Sequence, residues 1–249
     1  MYIPTAQRRI IGSVSRPALD YRAFDALTFD CYGTLIDWET GLVAAFADAL
    51  GPGHDADDLL ERYGRHEAEA EAGPYLPYRS ILAQGLRGVA RELGLTVTDA
   101  AVERFGASVA EWPPFPDSSD ALRRLATRFW LGVLTNCDDD LFAASNARLG
   151  VAFDWIVTAQ QVGSYKPAEA NFRAMLSLLA ADGVAPDRVL HVAQSLYHDH
   201  LPAQRLGMRT VWIDRRHDRP GTGAVPAADI MPDATFPSMA AFAEAATKP

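Results

Sequence analysis

Residues 26–35 read ALTFDCYGTL, a short apolar run that ends in an acid and passes at once into a turn. The side chains from Ala26 to Phe29 are apolar apart from one threonine, which is typical of a buried strand. Asp30 closes the run, and Gly33 marks a tight turn directly after it. The segment therefore predicts a buried strand that delivers a carboxylate to its carboxyl end.

Residues 121–213 alternate between helical and strand-like segments. The strand-like runs are short and continuously apolar, and amphipathic segments separate them. Such alternation predicts a parallel sheet covered by helices on both faces, the α/β class. The predicted strands of this region are 130–134, 155–157, 189–192 and 210–213.

Residues 40–112 carry no strand pattern. Apolar residues recur there at helical spacing, and the breaker cluster Trp112-Pro-Pro-Phe-Pro116 follows. We therefore predict a core, 23–39 and 113–249, that a helical insertion, 40–112, interrupts after its first strand. Residues 1–22 contain only a short apolar stretch and are interpreted as a leader outside the core. The four predicted helices of the insertion are 37–50, 57–72, 78–93 and 99–111.

Composition and charge limit the partners of the chain. Its 249 residues are 49% apolar and 22% charged, with a formal net charge of −9. An acidic protein of this kind is not expected to bind nucleic acid or an anionic membrane surface, because both need a positive footprint. No apolar run reaches the length of a membrane span. Cys31 and Cys137 are interpreted as reduced core thiols, so we expect a cytoplasmic protein.

Polar residues follow the predicted strands at well-separated places in the sequence. Asp30 and Thr34 follow the first strand, and Thr135 and Asn136 end the second. A later loop carries Lys166, and the segment 194–199 supplies a glutamine, a serine, a histidine and an aspartate. Because ligands bind beyond the carboxyl ends of parallel strands, we predict a reaction centre at this edge. A lone aspartate there is more often a helix cap, but four such strand ends favour a site.

These segments together resemble the four motifs of the haloacid dehalogenase superfamily. The resemblance covers nearly the whole chain from about residue 24, and the insertion matches the helical cap of that family. It implies a Rossmann-like core and an aspartate nucleophile, here Asp30, that forms a covalent ester. The motifs are Phe29-Asp-Cys-Tyr-Gly-Thr-Leu35, Leu134-Thr-Asn136, Ser164-Tyr-Lys-Pro167 and 194–199.

Two positions separate this chain from the phosphatases that dominate the superfamily. Those enzymes carry a second aspartate two residues after the nucleophile and bind magnesium through the nucleophile and an acid of the fourth motif. Here Tyr32 and Gln194 stand at these two positions. Because Mg²⁺ prefers several charged oxygen ligands, we expect no metal and no other cofactor. The form Asp-x-Tyr-Gly-Thr-Leu instead resembles the 2-haloacid dehalogenases, which act without a metal.

This resemblance implies roles for four side chains. Asp30 is expected to attack the α-carbon of a small carboxylic acid and to expel a leaving group, so that hydrolysis proceeds in two easier steps. Lys166 is expected to keep Asp30 ionised, because a positive neighbour favours the carboxylate. Thr34 and Asn136 are expected to stabilise the ester and its tetrahedral oxyanion.

Three further core residues are expected to contact the substrate or the water. Thr135 stands where this branch often has a serine that contacts the substrate carboxylate. Asp199, supported by Ser195, is the candidate for orienting or deprotonating the water that hydrolyses the ester. A register shift of one residue places His198 at that position instead, and the sequence leaves the two open. Packing or exposure at a helix start is the alternative interpretation of His198.

The insertion is expected to supply the group that contacts the leaving group and the carboxylate. The family uses an arginine of the cap, and Arg62 and Arg65 on the predicted helix 57–72 are the candidates, with Arg62 favoured. The guanidinium suits this role because its fork of donors matches a carboxylate, although most arginines on so charged a helix face water. The aromatic residues expected to line the pocket are Tyr32, Trp38, Tyr63 and Tyr78.

The sequence leaves several interpretations of the function open. We favour a hydrolase that displaces halide from a small, anionic 2-haloalkanoic acid and yields a 2-hydroxy acid. Residues 35–41 and 196–200 are also similar to azetidine-2-carboxylate hydrolases of the same superfamily, which open a strained ring by the same attack. A phosphatase and a non-catalytic binding protein are the further alternatives. The family also makes a homodimer the expected assembly.

Overall fold

The computed structural model describes residues 18–218 and 228–248. Most of the predicted leader, residues 1–17, lies outside the described residues. A short 3₁₀ turn, Tyr21–Ala23, spans the predicted boundary between leader and core, and Asp20 caps it by accepting the backbone N–H of Arg22 at 3.1 Å.

Among the described residues, six parallel strands form one sheet in the order β3-β2-β1-β4-β5-β6. This is the strand order of a Rossmann-like fold, and it confirms the predicted parallel α/β core. The first strand is central, with Phe29 paired to Val133 of β2 and to Val192 of β4. The strands are β1 Ala26–Phe29, β2 Trp130–Thr135, β3 Trp155–Thr158, β4 Val189–Ala193, β5 Arg209–Ile213 and β6 Ala234–Phe236.

Both faces of the sheet are covered, as the continuously apolar strands predict. Successive side chains of a strand point to opposite faces, so Leu27 and Phe29 pack into the larger apolar core while Ala26 packs into a smaller one. All four residues of β1 are buried. The helices that follow the insertion are α5 Ser118–Leu125, α6 Asp139–Leu149, α7 Ala159–Val162, α8 Glu169–Ala181, α9 Leu201–Arg205 and α10 Met239–Ala246.

The segment between β1 and β2 is helical, as its 3.6-residue periodicity predicts. Three of its helices begin at side-chain caps, which are Asp37, Asp55 and Thr98. Phe46, Tyr63 and other aromatic rings form its interior. The elements of this insertion before α5 are α1 Trp38–Leu50, α2 Ala56–Glu71, α3 Tyr78–Glu92, α4 Asp99–Ala107 and a 3₁₀ turn, Ser108–Glu111.

A close approach inside the insertion depends on a glycine. A Cβ atom at Gly85 of α3 would lie 2.5 Å from the ring of Tyr63 on α2. No side chain fits at that distance, so α2 and α3 pack face to face only because the position is glycine.

The insertion is fixed to the core where α3 begins. The buried carboxylate of Asp138, next to β2, accepts the backbone N–H groups of Tyr78 at 2.9 Å and Arg79 at 3.2 Å. These are unpaired donors of the first helical turn, which an acidic side chain satisfies well. Nearby, the hydroxyl of Tyr165 donates to the carbonyl of Leu76 at 2.7 Å. The two contacts hold the insertion over the carboxyl end of the sheet.

The structure contains several elements that the sequence pattern does not predict. Strand β6, helix α10 and the short α7 were not expected, and residues 196–200 form a π-helical turn. Cys31 and Cys137 are both buried free thiols, as predicted. Within the described residues, no helix is both long and apolar enough to cross a bilayer.

Candidate active site

Asp30 lies directly after β1, at the edge of the sheet where all the parallel strands end. The residue is 7% exposed. Oδ2 accepts a 2.6 Å hydrogen bond from the hydroxyl of Thr34, which the tight turn brings back beside it. Gly33 makes this turn with a φ of +92°, a conformation that other residues rarely adopt. A Cβ atom at this position would also lie close to the Trp38 side chain. The sequence ALTFDCYGTL therefore places a carboxylate and a hydroxyl at one point.

The Lys166 ammonium lies between two carboxylates. Its Nζ donates to Asp30 Oδ1 at 2.8 Å, to Asp199 Oδ1 at 2.7 Å and to the carbonyl of Leu134 at 3.0 Å. An ammonium has three N–H donors, and within the described part of the chain all three are used. Burial opposes the charge of Lys166, but the two carboxylates outweigh it and raise the pKa of this lysine. The side chain is therefore a fixed positive charge.

The two carboxylates differ in their environments. Burial raises the pKa of Asp30 above its ordinary value, and the charge of Lys166 acts against this rise. Burial also opposes ionisation of Asp199, but Lys166 and a hydrogen-bonding contact with His191 lower its pKa well below the usual range. Nε2 of His191 lies 3.1 Å from Asp199 Oδ1, and its Nδ1 lies 2.9 Å from Thr28 Oγ1. The pKa values of the two carboxyl groups are therefore shifted in opposite directions, with that of Asp199 lowered and that of Asp30 raised.

Thr135 ends β2 and Asn136 follows it, and the two side chains differ in their hydrogen bonds. The side chain of Asn136 clamps the backbone of Lys166, accepting its N–H at 2.7 Å and donating to its carbonyl at 3.1 Å. Its amide therefore positions the lysine loop, although it also lines the cleft beside Asp30. Thr135 is 1% exposed, and its hydroxyl has no hydrogen-bond partner among the described residues.

Ser195 and His198 form a second polar group at the end of β4. Ser195 Oγ accepts the backbone N–H of His198 at 3.0 Å and lies 3.1 Å from His198 Nδ1. Burial lowers the pKa of His198 to about 4, so its imidazole is neutral near pH 7. Next to them, the backbone N–H of Gln194 donates to the hydroxyl of Thr34 at 2.9 Å. This connects the turn after β1 to the turn after β4.

Two glutamates of α2 line the insertion side of the same cleft. Glu67 Oε1 accepts hydrogen bonds from the hydroxyls of Tyr63 at 3.0 Å and Tyr78 at 2.8 Å. Glu71 Oε1 lies 3.5 Å from the amide nitrogen of Asn136. Burial raises the pKa of both carboxyl groups above the usual range. The cleft thus runs from Asp30 on the core to Glu67 and Glu71 on the insertion.

Comparison with known proteins identifies the family of this fold and site. A family model of haloacid dehalogenase-like hydrolases matches residues 24–207. The chain belongs to this family. It is therefore a hydrolase of the haloacid dehalogenase superfamily, and the predicted resemblance is confirmed.

Individual relatives agree with this assignment. An (S)-2-haloacid dehalogenase of Pseudomonas putida is 26% identical over 199 residues, 77% of this chain and 85% of that protein. A phosphoserine phosphatase of Thermus thermophilus is 32% identical over 181 residues, 68% of each chain. The structure of L-2-haloacid dehalogenase from Xanthobacter autotrophicus with chloropropionic acid covalently bound is 20% identical and gives a TM-score of 0.74, covering 89% of this chain and 97% of that one. This last likeness shows a shared fold.

The expected arginines of the cap do not face the cleft of this haloacid dehalogenase-like hydrolase. Arg62 donates to Asp58 and, at 2.8 Å, to Glu92 of α3. Arg65 donates to Glu61 at 3.2 Å and to Glu92 at 3.3 Å. The expectation was wrong because these two positions lie on the outer face of α2, where acids neutralise them.

The inward face of α2 carries residues that sequence analysis passed over. Leu60, Tyr63 and Gly64 recur at helical spacing, and Glu67 and Glu71 continue the same row. The helical spacing of this row indicates that Glu67 and Glu71 lie on the face of α2 that is turned to the cleft. Tyr63 is fully buried and reaches the cleft only through its hydrogen bond to Glu67. His191 was also missed, because a histidine inside an apolar strand gives no sign of its partner.

The residues around Asp30 do not fit the magnesium ion of the phosphatase members of the family. The Lys166 ammonium occupies the position between the two carboxylates, Asp30 and Asp199. The Tyr32 hydroxyl, which stands where those enzymes have an acid, is 3.0 Å from Ser145 Oγ and accepts from Cys137 Sγ. Within residues 18–218 and 228–248, no three His, Cys, Asp or Glu side chains cluster as metal ligands.

Proposed function

We propose that this protein is a metal-independent hydrolase that displaces halide from the α-carbon of a small 2-haloalkanoic acid and yields a 2-hydroxy acid. The observation that carries the proposal is the buried carboxylate of Asp30, which Lys166 and Thr34 hold at the base of the cleft. The similarity to (S)-2-haloacid dehalogenase supports the leaving group and the substrate class.

The geometry suits a two-step displacement. One carboxylate oxygen of Asp30 attacks the α-carbon, the C–halogen bond breaks, and halide leaves with the electron pair. Lys166 and Thr34 hold the carboxylate in one orientation, so the attack needs little reorganisation. In the second step water attacks the ester carbonyl of Asp30. Lys166 and Thr34 bind different oxygens of Asp30, so the donor on the oxygen that did not attack stabilises the developing oxyanion. The hydroxyl oxygen of the product therefore comes from Asp30.

Chloride release tests this proposal directly. We expect purified protein to release chloride from L-2-chloropropionate at the same rate with and without EDTA, and Asp30→Asn to abolish the release. In a single turnover in heavy-oxygen water, the label should enter Asp30 before it enters the product. An active Asp30→Asn variant overturns the nucleophile assignment. If no short 2-haloacid yields halide, the dehalogenase function is wrong. Magnesium-dependent release of phosphate from a phosphate monoester supports the phosphatase alternative.

The acids of α2 favour one second candidate, the hydrolytic opening of azetidine-2-carboxylate. Its ring nitrogen is cationic when protonated, and Glu67 and Glu71 offer carboxyl groups on the side of the cleft opposite Asp30. Attack by Asp30 on the α-carbon breaks the C–N bond and leaves a primary amine in the same molecule. A reagent that detects primary but not secondary amines measures this reaction. Amine formation without halide release from any haloacid would assign the second function.

A further inference from the structure

We propose that His198, and not Asp199, is the base that activates water in the second step. The inference rests on the proposed Asp30 ester and names the residue that hydrolyses it. It begins from Asp199, which lines the cleft but has one oxygen engaged by neighbouring side chains and the other closed to solvent. Oδ1 of Asp199 accepts a hydrogen bond from Lys166 Nζ and also contacts His191 Nε2. Oδ2 is sealed from solvent and has no partner among the described residues. Asp199 therefore acts as a positioning residue for Lys166.

His198 has the free nitrogen that Asp199 lacks. Its side chain is half-buried and lines the cleft together with Asp30. Nδ1 is engaged with Ser195 Oγ, whereas no hydrogen bond of Nε2 exists within the described residues. Ser195 is itself held by the backbone N–H of His198, so the ring and its partner are fixed as one unit. In the tautomer that we propose, Nδ1–H donates to Ser195 and Nε2 carries the lone pair.

The charges around His198 keep it a proton acceptor near neutral pH. The groups that bear on it are Asp199, whose charge favours the imidazolium, and Lys166, whose charge disfavours it. Asp30, Glu67 and Glu71 line the same cleft. Burial outweighs these charges and lowers the pKa of His198 to about 4, so the ring is neutral over most of the physiological range. Asp199, whose pKa lies well below the usual range, is a much weaker base.

The second step then balances without another reactant. Water adds to the ester carbonyl of Asp30 while Nε2 of His198 takes one of its protons. The tetrahedral intermediate collapses, the bond between the carbonyl carbon and the product oxygen breaks, and the leaving alkoxide takes that proton back from His198. Asp30 is left as a carboxylic acid and releases its remaining proton to solvent. Lys166 retains its charge throughout.

The test separates the two half-reactions in a His198→Gln variant. With L-2-chloropropionate we expect a chloride burst close to one per active site at a rate near that of the wild type, followed by turnover lowered about 10²-fold to 10⁴-fold. Mass spectrometry of the peptide that contains Asp30 should then show the accumulated ester. His217→Gln removes an exposed histidine outside the cleft and should behave as the wild type.

Asp199→Asn provides the contrast. We expect it to lose the burst itself, because Lys166 loses one of its two carboxylate partners, and to accumulate no ester. Ester accumulation in Asp199→Asn but not in His198→Gln overturns the proposal, as does wild-type turnover in His198→Gln. If His198→Gln does not fold, the wild type still decides: its ester hydrolysis should slow as the pH falls towards about 4, and a rate without this acid limb overturns the proposal. Wild-type protein that releases no halide contradicts the proposed function instead.

Discussion

The ammonium of Lys166 lies 2.8 Å from Asp30 and 2.7 Å from Asp199, and its remaining donor binds the carbonyl of Leu134. A buried carboxylate is costly unless it is paired and hydrogen-bonded. One side chain here compensates two of them. The same arrangement holds Asp30 ready for attack, so stability and the proposed reactivity depend on the same contacts.

Replacing Lys166 by Met tests whether both stability and halide release depend on the contacts of this one side chain. We expect the free energy of unfolding to fall by about 3–5 kcal/mol, because the change leaves buried carboxylates without their partner. Halide release should be lost as well. Denaturant unfolding at neutral pH measures the first effect. The matched control is Arg173→Met, whose side chain is 65% exposed in a pair with Glu169 and should change stability by less than about 1 kcal/mol. Equal stability of the two variants would contradict the prediction.

Much of the site could be predicted from the sequence because parallel strands end at one edge. Asp30, Lys166 and Asp199 lie far apart in the chain, yet each follows a strand and the three meet within hydrogen-bonding distance. The sequence does not specify side-chain partners in the same way. Asn136 faces the cleft as expected, but its amide binds the Lys166 backbone, a contact that depends on the path of a loop.

At the scale of secondary-structure elements, the orientation of α2 was the part that sequence analysis did not settle. Both faces of this helix carry charged residues, so the charge pattern alone favours neither the arginines nor the glutamates as cleft residues. Packing decides it: Gly85 of α3 admits the Tyr63 ring, and the Tyr63 hydroxyl donates to Glu67. Arg62 is thereby turned to the outside, towards Glu92.

The inward face of α2 predicts a pH dependence of substrate binding. Burial raises the pKa of Glu71, so this carboxyl group is neutral at low pH and becomes an anion only as the pH rises through the raised value. A 2-haloacid is itself an anion, and two like charges about 4 Å apart repel by about 1 kcal/mol in water and more at lower dielectric. The KM of the wild type for L-2-chloropropionate should therefore increase about fivefold or more towards alkaline pH.

Steady-state kinetics of two variants check the origin of this effect. Glu71→Gln should weaken the pH dependence of KM, with a remainder that comes from Glu67. Glu69→Gln, on the same helix but 80% exposed, should keep the wild-type dependence. A KM that falls as the pH rises would show instead that ionised acids attract the substrate, which favours the cyclic amine as the substrate.

At the scale of the whole molecule, the formal net charge of −9 acts on the approach of the substrate. The field of an acidic surface repels a small anion, and salt screens it: the Debye length falls from about 30 Å at 0.01 M to about 8 Å at 0.15 M. If the substrate is a 2-haloacid, kcat/KM should increase about twofold to threefold over this range of salt. Azetidine-2-carboxylate with a protonated ring nitrogen carries no net charge, so its kcat/KM should stay constant. The salt dependence of kcat/KM, measured for both substrates under identical conditions, therefore reports whether the substrate carries a net charge. A haloacid kcat/KM that falls with added salt would contradict this prediction, because it requires a local positive field at the cleft entrance that outweighs the net charge.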